Sequence, residues 1–158
     1  MSEYNIVTTE RYISNKVTLE STDKTITDES NMLTTLLKGA SFGDKKVYST
    51  DGDLLLILED LKVIIIDPGA DCNDFVTVSG KVQTTGWKTA AFPSKFLIYI
   101  DLFDKNGTKI YRCAGHVISE CKYNYIFAFE EEISFDIFNE AEKALPGWDS
   151  KVKFMRCV

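Results

Sequence analysis

The strongest constraint on the fold is a two-residue alternation of apolar and polar side chains in the second half of the chain. Val76 and Val78 alternate with polar residues, and the run 96–103 places Phe96 and Ile98 on one face. Such alternation is typical of a β-strand with one buried face. More than a third of the 158 residues are β-branched or aromatic, and these types favour strands. The sequence therefore predicts a mainly β fold.

Turn residues separate several short strands. Asn106 and Gly107 predict a hairpin turn, because both residues tolerate positive φ. The segment 54–67 contains two apolar runs that flank Glu59 and Asp60, which leaves open either a tight hairpin or one long strand with a bulge. Short strands at this spacing favour an antiparallel β-sandwich, and no linker divides residues 1–158, so we expect a single domain.

The N-terminal half predicts one short α-helix, at about 28–38. Thr27 is a suitable N-cap, Leu36 and Leu37 belong to a set of apolar residues at helical spacing, and Gly39 stands where a helix commonly ends. A second short helical piece is predicted near 139–145.

The stretch 76–111 resembles the FxLYD family of immunoglobulin-like or fibronectin-like β-sandwich domains found in prokaryotes. The matching positions are Val78, Gly80, Val82, Phe96, Ile98, Ile100, Phe103, Asp104 and Gly107. The sequence departs from the family at Thr84 and Thr85, where an asparagine is usual. The resemblance implies an immunoglobulin-like sandwich with a binding or scaffolding role, and it carries no catalytic residues.

Charge and composition exclude several classes of function. The net charge of −6 and the pI near 4.8 disfavour nucleic-acid binding, because the chain repels phosphate backbones. A single histidine, His116, disfavours catalytic triads and histidine-rich metal sites. No apolar run approaches the roughly 20 residues of a transmembrane helix, so no membrane partner is expected. The N-terminus does not resemble a signal peptide, so we expect a cytoplasmic protein, with a mature exported domain as the alternative.

The four cysteines, at 72, 113, 121 and 157, are expected to be free thiols, as in most cytoplasmic proteins. The alternative is two disulfides in an exported domain. Cys113, His116 and Cys121 have the only metal-like spacing, but a strand would point Cys113 and His116 to opposite faces. We expect neither a metal nor another cofactor, although calcium binding by acidic loops stays open.

The candidate partner-binding residues lie in acidic turns and beside glycines. They are Asp51, Asp53, Asp67, Asp71, Asp74, Trp87 and Trp148. The first half of the chain holds fourteen acidic and seven basic residues and the second half ten and eleven, so the acidic excess lies in the first half. An acidic surface suits a basic partner. Tryptophans in loops are common binding anchors, although they cover cores equally often.

These observations predict a non-enzymatic protein-binding or scaffolding module. One alternative is an acidic immunity-type or inhibitor protein that neutralises a basic partner. A second is an enzyme that uses carboxylates, for which Glu130 and Glu132 share one predicted strand face. Such an enzyme requires a pocket that holds carboxylates with raised pKa values.

Overall fold

The computed structural model describes residues 4–6, 15–27, 32–69, 72–91 and 93–157. These residues form twelve strands and one helix: β1 Tyr4–Ile6, β2 Val17–Thr18, β3 Glu20–Thr27, β4 Met32–Tyr48, β5 Leu54–Asp67, β6 Asp74–Thr84, β7 Trp87–Thr89, β8 Lys95–Phe103, β9 Lys109–Ile118, β10 Asn124–Ile133, α1 Phe135–Glu140, β11 Lys143–Trp148 and β12 Lys153–Arg156. Strands account for 68% of the structure, so the prediction of a mainly β fold is confirmed.

The strands form three antiparallel sheets. A five-stranded sheet has the order β10-β6-β5-β4-β3, a four-stranded sheet has the order β2-β11-β8-β9, and a three-stranded sheet has the order β1-β12-β7. Strand β10 is therefore one edge of the five-stranded sheet, and β9 is one edge of the four-stranded sheet.

One apolar core joins the three sheets. It includes Val78 and Leu58 from the five-stranded sheet, Phe96 and Ile100 from the four-stranded sheet, and Phe154 from β12. The rings of Phe96 and Phe154 meet edge to face, with their centroids 5.6 Å apart. The alternation predicted for β6 and β8 is confirmed, because the predicted inward residues are buried.

The segment 54–67 is a single strand with a bulge, so the long-strand alternative is correct. The register between β5 and β6 shifts between Glu59 and Lys62, and Asp60 adopts a φ of 52°. Gly43, which pairs with Leu61 on the neighbouring strand β4, has a φ of 67°. Both strands are therefore irregular at the same level of the sheet.

The prediction of an N-terminal helix at about 28–38 is wrong. Residues 28–31 lie outside the description, and residues 32–38 begin the long strand β4. Leu36 pairs with Asp67 and Leu37 with Ile66 on β5, which places these two leucines on opposite faces of the sheet. Gly39 ends no helix. It pairs with Ile64, and a Cβ at this position would lie 3.1 Å from the carbonyl oxygen of Val63.

The second helical prediction is displaced along the chain. Helix α1 starts after Ser134, whose hydroxyl accepts a hydrogen bond from the Ile137 N–H at 3.4 Å, and it is only six residues long. Residues 143–148, partly predicted as helix, form strand β11. In the described residues, no helix is long and apolar enough to cross a membrane.

The prediction of four free thiols is wrong for two of the cysteines. Cys121 and Cys157 form a disulfide that links the β9–β10 connection to the segment after β12. Cys72 is a free, exposed thiol, and Cys113 is free and fully buried. Burial and the neighbouring Glu131 carboxylate raise the pKa of the Cys113 thiol to about 12, so this cysteine is an unreactive part of the core.

Candidate binding surface

The two acidic turns predicted from the sequence lie at opposite ends of strand β5. Asp51 is exposed and Asp53 is half-buried in the turn before β5, whereas Asp67 is its last residue. A straight strand of 14 residues spans about 45 Å, and the bulge at Asp60 shortens this one. Asp71 lies outside the described residues. The turns therefore form two separate acidic sites.

Asp74 does not face solvent as predicted. Only 5% of it is exposed, and its Oδ2 atom accepts no hydrogen bond from any residue the structure describes. Burial is the main cause that raises the pKa of the Asp74 carboxyl to about 6, and the charge of Asp67 and a hydrogen bond with it act in the same direction. The Asp67 carboxylate also accepts a hydrogen bond from the Gly69 N–H at 3.0 Å. Because Asp74 is buried, its carboxylate is not available at the surface for contact with a partner.

Both candidate tryptophans are core residues. Trp87 begins β7 with 5% of its surface exposed, and Trp148 ends β11 with 4% exposed. The prediction that they lie in loops is wrong, and the structure agrees with the alternative that they cover the core. The guanidinium of Arg156 lies over the Trp87 ring, 5.3 Å from its centroid.

The most exposed large apolar residue of the described chain lies instead on β10. Ile126 is 75% exposed, although it occupies the interior of a ten-residue strand. It belongs to a row of outward-facing side chains, all exposed, that we call the β10 surface: Asn124, Ile126, Ala128, Glu130 and Glu132. The row is apolar near its start and acidic near its end.

The opposite face of β10 is firmly anchored. The Phe127 ring lies against Gly80 on β6, where a Cβ would be 3.0 Å from the ring. The Phe129 ring lies against Gly115 of the four-stranded sheet, where a Cβ would be 2.6 Å away. The Glu131 carboxylate accepts a hydrogen bond of 2.6 Å from the Tyr111 hydroxyl on β9. Burial and this bond raise the pKa of Tyr111, which keeps the donor protonated.

The start of β10 is fixed by hydrogen bonds to β6. The Thr84 hydroxyl accepts a hydrogen bond from the Tyr123 N–H at 2.9 Å and lies 3.0 Å from the Tyr123 carbonyl oxygen. The Asn124 side chain accepts from the Thr84 N–H at 3.2 Å. Together with the nearby disulfide, these contacts hold the strand in one position.

The free edge of β10 carries charged residues, Glu130 to Glu132, only in its second half, and otherwise lacks the usual protection against strand pairing. Its sequence has no lysine, proline or glycine, and its register with β6 runs without a shift from Asn124 to Ile133. Edge strands are commonly blunted by such residues or by bulges. In the described part of the chain, no residue outside β6 forms a hydrogen bond with the backbone of residues 124–133. About half of these residues therefore direct their N–H and C=O groups outward.

The glutamates of the β10 surface have no cationic neighbour among the described residues. Glu130 and Glu132 pair across the sheet with Thr77 and Phe75, which are uncharged. Their described polar contacts are long, at 3.5 Å to the Thr77 hydroxyl and 3.5 Å to the Asn73 amide. The ion pairs found in the described residues lie elsewhere: Arg112 with Asp101 at 2.7 Å, and Lys81 with Asp60 at 4.0 Å.

A shallow cleft borders Ile126 on the outer face of the sheet. Its volume is about 320 Å³, and Lys81, Gln83 and Glu59 contribute to its walls. The cleft offers space and polar groups beside an exposed apolar side chain, an arrangement common at binding surfaces.

No metal centre forms from the cysteine and histidine cluster. Cys113 is buried and His116 is exposed on the other face of β9, as the strand alternation predicts, and Cys121 is bonded to Cys157. Among the residues described, no three His, Cys, Asp or Glu side chains are placed to hold a metal ion.

The comparisons with known proteins give no further guide. The chain matches no protein-family model, no curated protein and no solved structure.

Sequence reasoning missed Ile126 because the dominant pattern of β10 is its aromatic row. Tyr125, Phe127 and Phe129 mark the inward face, and Ile126 stands on the other face between Asn124 and Ala128. An apolar residue out of phase with the buried row was the available signal. Such a residue indicates a binding surface only if its strand lies at the edge of a sheet. The edge position of β10 follows from the order of the strands in space, which the sequence does not show.

Proposed function

We propose that this protein is a non-enzymatic protein-binding or scaffolding module that contacts its partner through the β10 surface. The observation that carries the proposal is the exposure of Ile126, at 75%, in the interior of a strand whose outer edge pairs with no strand of the described residues. A partner that covers this side chain removes its apolar surface from water, which contributes about 1.5–3 kcal/mol to binding when the side chain is fully buried. The inward anchoring of Phe127 and Phe129 supplies a rigid support for the strand.

The finer fold assignment, an immunoglobulin-like sandwich of the FxLYD type, belongs to the same proposal. Two features support it: the four- and five-stranded antiparallel sheets share one core, and the resemblance over 76–111 covers β6, β8 and the start of β9. Domains of this architecture serve as binding modules on many unrelated proteins.

A basic partner is favoured by the acidic end of the β10 surface. Glu130 and Glu132 are exposed and unpaired by cations within the described residues. The acidic inhibitor of a basic protein is one form of this function, because such inhibitors rely on charge complementarity for fast association.

The carboxylate-enzyme alternative has one observation in its favour. Asp74 has a raised pKa, about 6, as a general acid or base requires. However, neither Asp74 nor Asp67 lines the described clefts, which are shallow and lie beside β3–β4, β10 and α1. Among the clefts formed by the described residues, none encloses the Asp67–Asp74 pair as catalysis would need.

The disulfide supports the alternative localisation, a mature exported domain. Disulfides persist in oxidising compartments and are rare in the cytoplasm. We propose on this ground that the chain functions outside the cytoplasm, rather than within it as the N-terminal sequence suggested.

Partner capture from the source organism tests the proposed function. We compare the wild type, the surface variant Ile126→Ser with Glu130→Lys and Glu132→Lys, and a control variant, Asp51→Lys with Asp53→Lys. The control makes the same change of charge at the acidic turn before β5. A partner that the wild type and control retain and the surface variant loses supports the proposal. A partner lost only by the control moves binding to the Asp51 turn and contradicts it.

A further inference from the structure

We infer that the β10 surface binds an extended segment of a partner protein by strand addition, with basic residues opposite Glu130 and Glu132 and an apolar residue opposite Ile126. The inference deepens the proposed function and rests on it. It names the conformation, direction and chemistry of the segment that the surface accepts.

The backbone of β10 supplies the main attraction. Its ten residues extend the five-stranded sheet with a regular register, and no described group outside β6 occupies the outward hydrogen-bonding positions. An added strand satisfies these groups with main-chain hydrogen bonds, which give affinity largely independent of sequence.

The side chains of the β10 surface supply the selectivity. Residues directly opposite each other on neighbouring strands have Cβ atoms about 5 Å apart, so each outward residue of β10 has one cross-strand place on its free side. On the β6 side, Glu130 and Glu132 meet Thr77 and Phe75. The free side is therefore where a lysine or arginine neutralises each glutamate.

The direction of the added strand follows from the sheet. All of the pairings within the five-stranded sheet are antiparallel, and an antiparallel addition continues this pattern. The first basic residue of the partner segment then lies opposite Glu132, and the second, two positions later, lies opposite Glu130. An apolar residue four positions after the second basic residue lies opposite Ile126.

A second copy of this chain is a poor occupant. It carries the same glutamates and a net charge of −6, so two copies repel each other as they approach. A basic segment from another protein reverses the sign of this interaction.

Designed peptides test the inference directly. The first is an eight-residue peptide with lysine at its first and third positions, threonine at the fifth, isoleucine at the seventh and valine at the even positions. The second has the same residues in reverse order. Fluorescence anisotropy measures the binding of each to the intact, oxidised protein. We expect the first peptide to bind more tightly than the second by about tenfold, because in antiparallel addition only the first places its lysines opposite both glutamates and its isoleucine opposite Ile126.

Backbone methylation separates strand addition from side-chain docking. Two further peptides carry N-methyl groups on alternate amides. One is methylated at the amides of its odd-numbered residues and the other at those of its even-numbered residues, and we call these two patterns the two phases. Strand addition predicts that one phase loses more than about tenfold in affinity, because its blocked amides face β10, while the other phase binds as before. Equal binding by both phases overturns the inference, and so does an absence of binding by the unmethylated peptide.

Variants complete the test. Glu130→Gln with Glu132→Gln should weaken the first peptide about tenfold at low salt, and the control Glu120→Gln with Glu140→Gln, also at exposed positions, should leave it unchanged. Equal weakening by both variants overturns the inference. If captured partners depend on Ile126 while no peptide binds, the proposed function stands and strand addition fails. If capture also ignores Ile126, both fail.

Discussion

The Lys38 ammonium on strand β4 lies 2.6 Å from the main-chain carbonyl oxygen of Phe138 in helix α1. It also donates to the carbonyls of Asn139, at 3.2 Å, and Ala141, at 3.0 Å. The last turn of α1 contains no basic residue of its own, so a lysine one hundred residues earlier in sequence satisfies its terminal carbonyls. Six residues are too few for a stable helix in isolation, and this contact fixes α1 against the sheet.

Removal of the Lys38 ammonium is expected to destabilise the protein. Lys38→Met keeps the aliphatic stem but leaves three carbonyls without their donor, and we expect a loss of about 1–3 kcal/mol in the free energy of unfolding. Urea denaturation measures this value. The control is Lys143→Met, at an exposed position, which should change stability by less than about 0.5 kcal/mol. Equal effects of the two substitutions would show that the Lys38 contacts contribute nothing.

The Cys121–Cys157 disulfide determines the expected thiol content and contributes to the expected stability. Thiol titration of the denatured, unreduced protein should find two free thiols, from Cys72 and Cys113. Cys121 and Cys157 are 36 residues apart, and a cross-link that closes such a loop stabilises the folded state by about 3–4 kcal/mol in the chain-entropy model. Cys121→Ser with Cys157→Ser should therefore lower the melting temperature, and reductant should have the same effect on the wild type only. Four titratable thiols would contradict the cross-link.

The burial of Asp74 predicts an unusual pH dependence. Its pKa rises to about 6 in the folded protein, whereas the unfolded chain keeps a value near 3.8. The folded state therefore binds the proton more tightly, and the contribution of Asp74 to stability improves as the pH falls from about 7 to 4. Above about pH 6, the Asp74 carboxyl is ionised in the folded protein, and its buried charge lowers the free energy of unfolding.

Asp74→Asn isolates this contribution. The substitution removes the buried charge, so we expect it to stabilise the protein by about 1–2 kcal/mol at pH 7, and by much less at pH 4. Chemical denaturation at several pH values provides the difference between variant and wild type. The exposed Glu120→Gln serves as a control, and its difference should stay nearly constant. A destabilising effect of Asp74→Asn at pH 7 would show that the ionised carboxylate has a partner.

Local sequence patterns, namely turn residues and two-residue alternation, correctly predicted several strands in the second half of the chain. The β8–β9 hairpin is confirmed with its turn, in which the Asp104 carboxylate accepts hydrogen bonds from the N–H groups of Asn106 and Thr108, both at 2.9 Å. Alternation also gave the inward faces of β6 and β8. In each case the signal lies within a few residues of the chain, and the preferences of turn and strand agree.

The errors arose where distant pairing decides the structure. Apolar residues at helical spacing before Gly39 also suit a strand with both faces apolar, and pairing of Leu36 and Leu37 with β5 selects the strand. The Cys121–Cys157 link joins two segments whose proximity no local pattern shows. The exposure of Ile126 and the burial of Asp74 could not be predicted for the same reason, because both depend on the order of strands in the sheet.

The contact between Gly115 and the Phe129 ring holds β10 against the four-stranded sheet, and we expect its disruption to destabilise the protein. A Cβ at Gly115 would lie 2.6 Å from the Phe129 ring, closer than carbon atoms approach without displacement. Gly115→Ala should therefore force the ring and its strand outward, at a cost of about 1–3 kcal/mol. Phe129→Leu alone should cost a similar amount through lost burial.

A double-mutant cycle measured by urea denaturation tests whether the two effects share one cause. The smaller leucine leaves room for the new methyl group, so the double variant should lose at least about 0.5 kcal/mol less than the sum of the single losses. Hydrogen exchange should also show faster opening of residues 124–133 in Gly115→Ala, and restored protection in the double variant. Additive losses would mean that Gly115 accommodates a side chain without moving Phe129, and that β10 is held in place mainly by its pairing with β6.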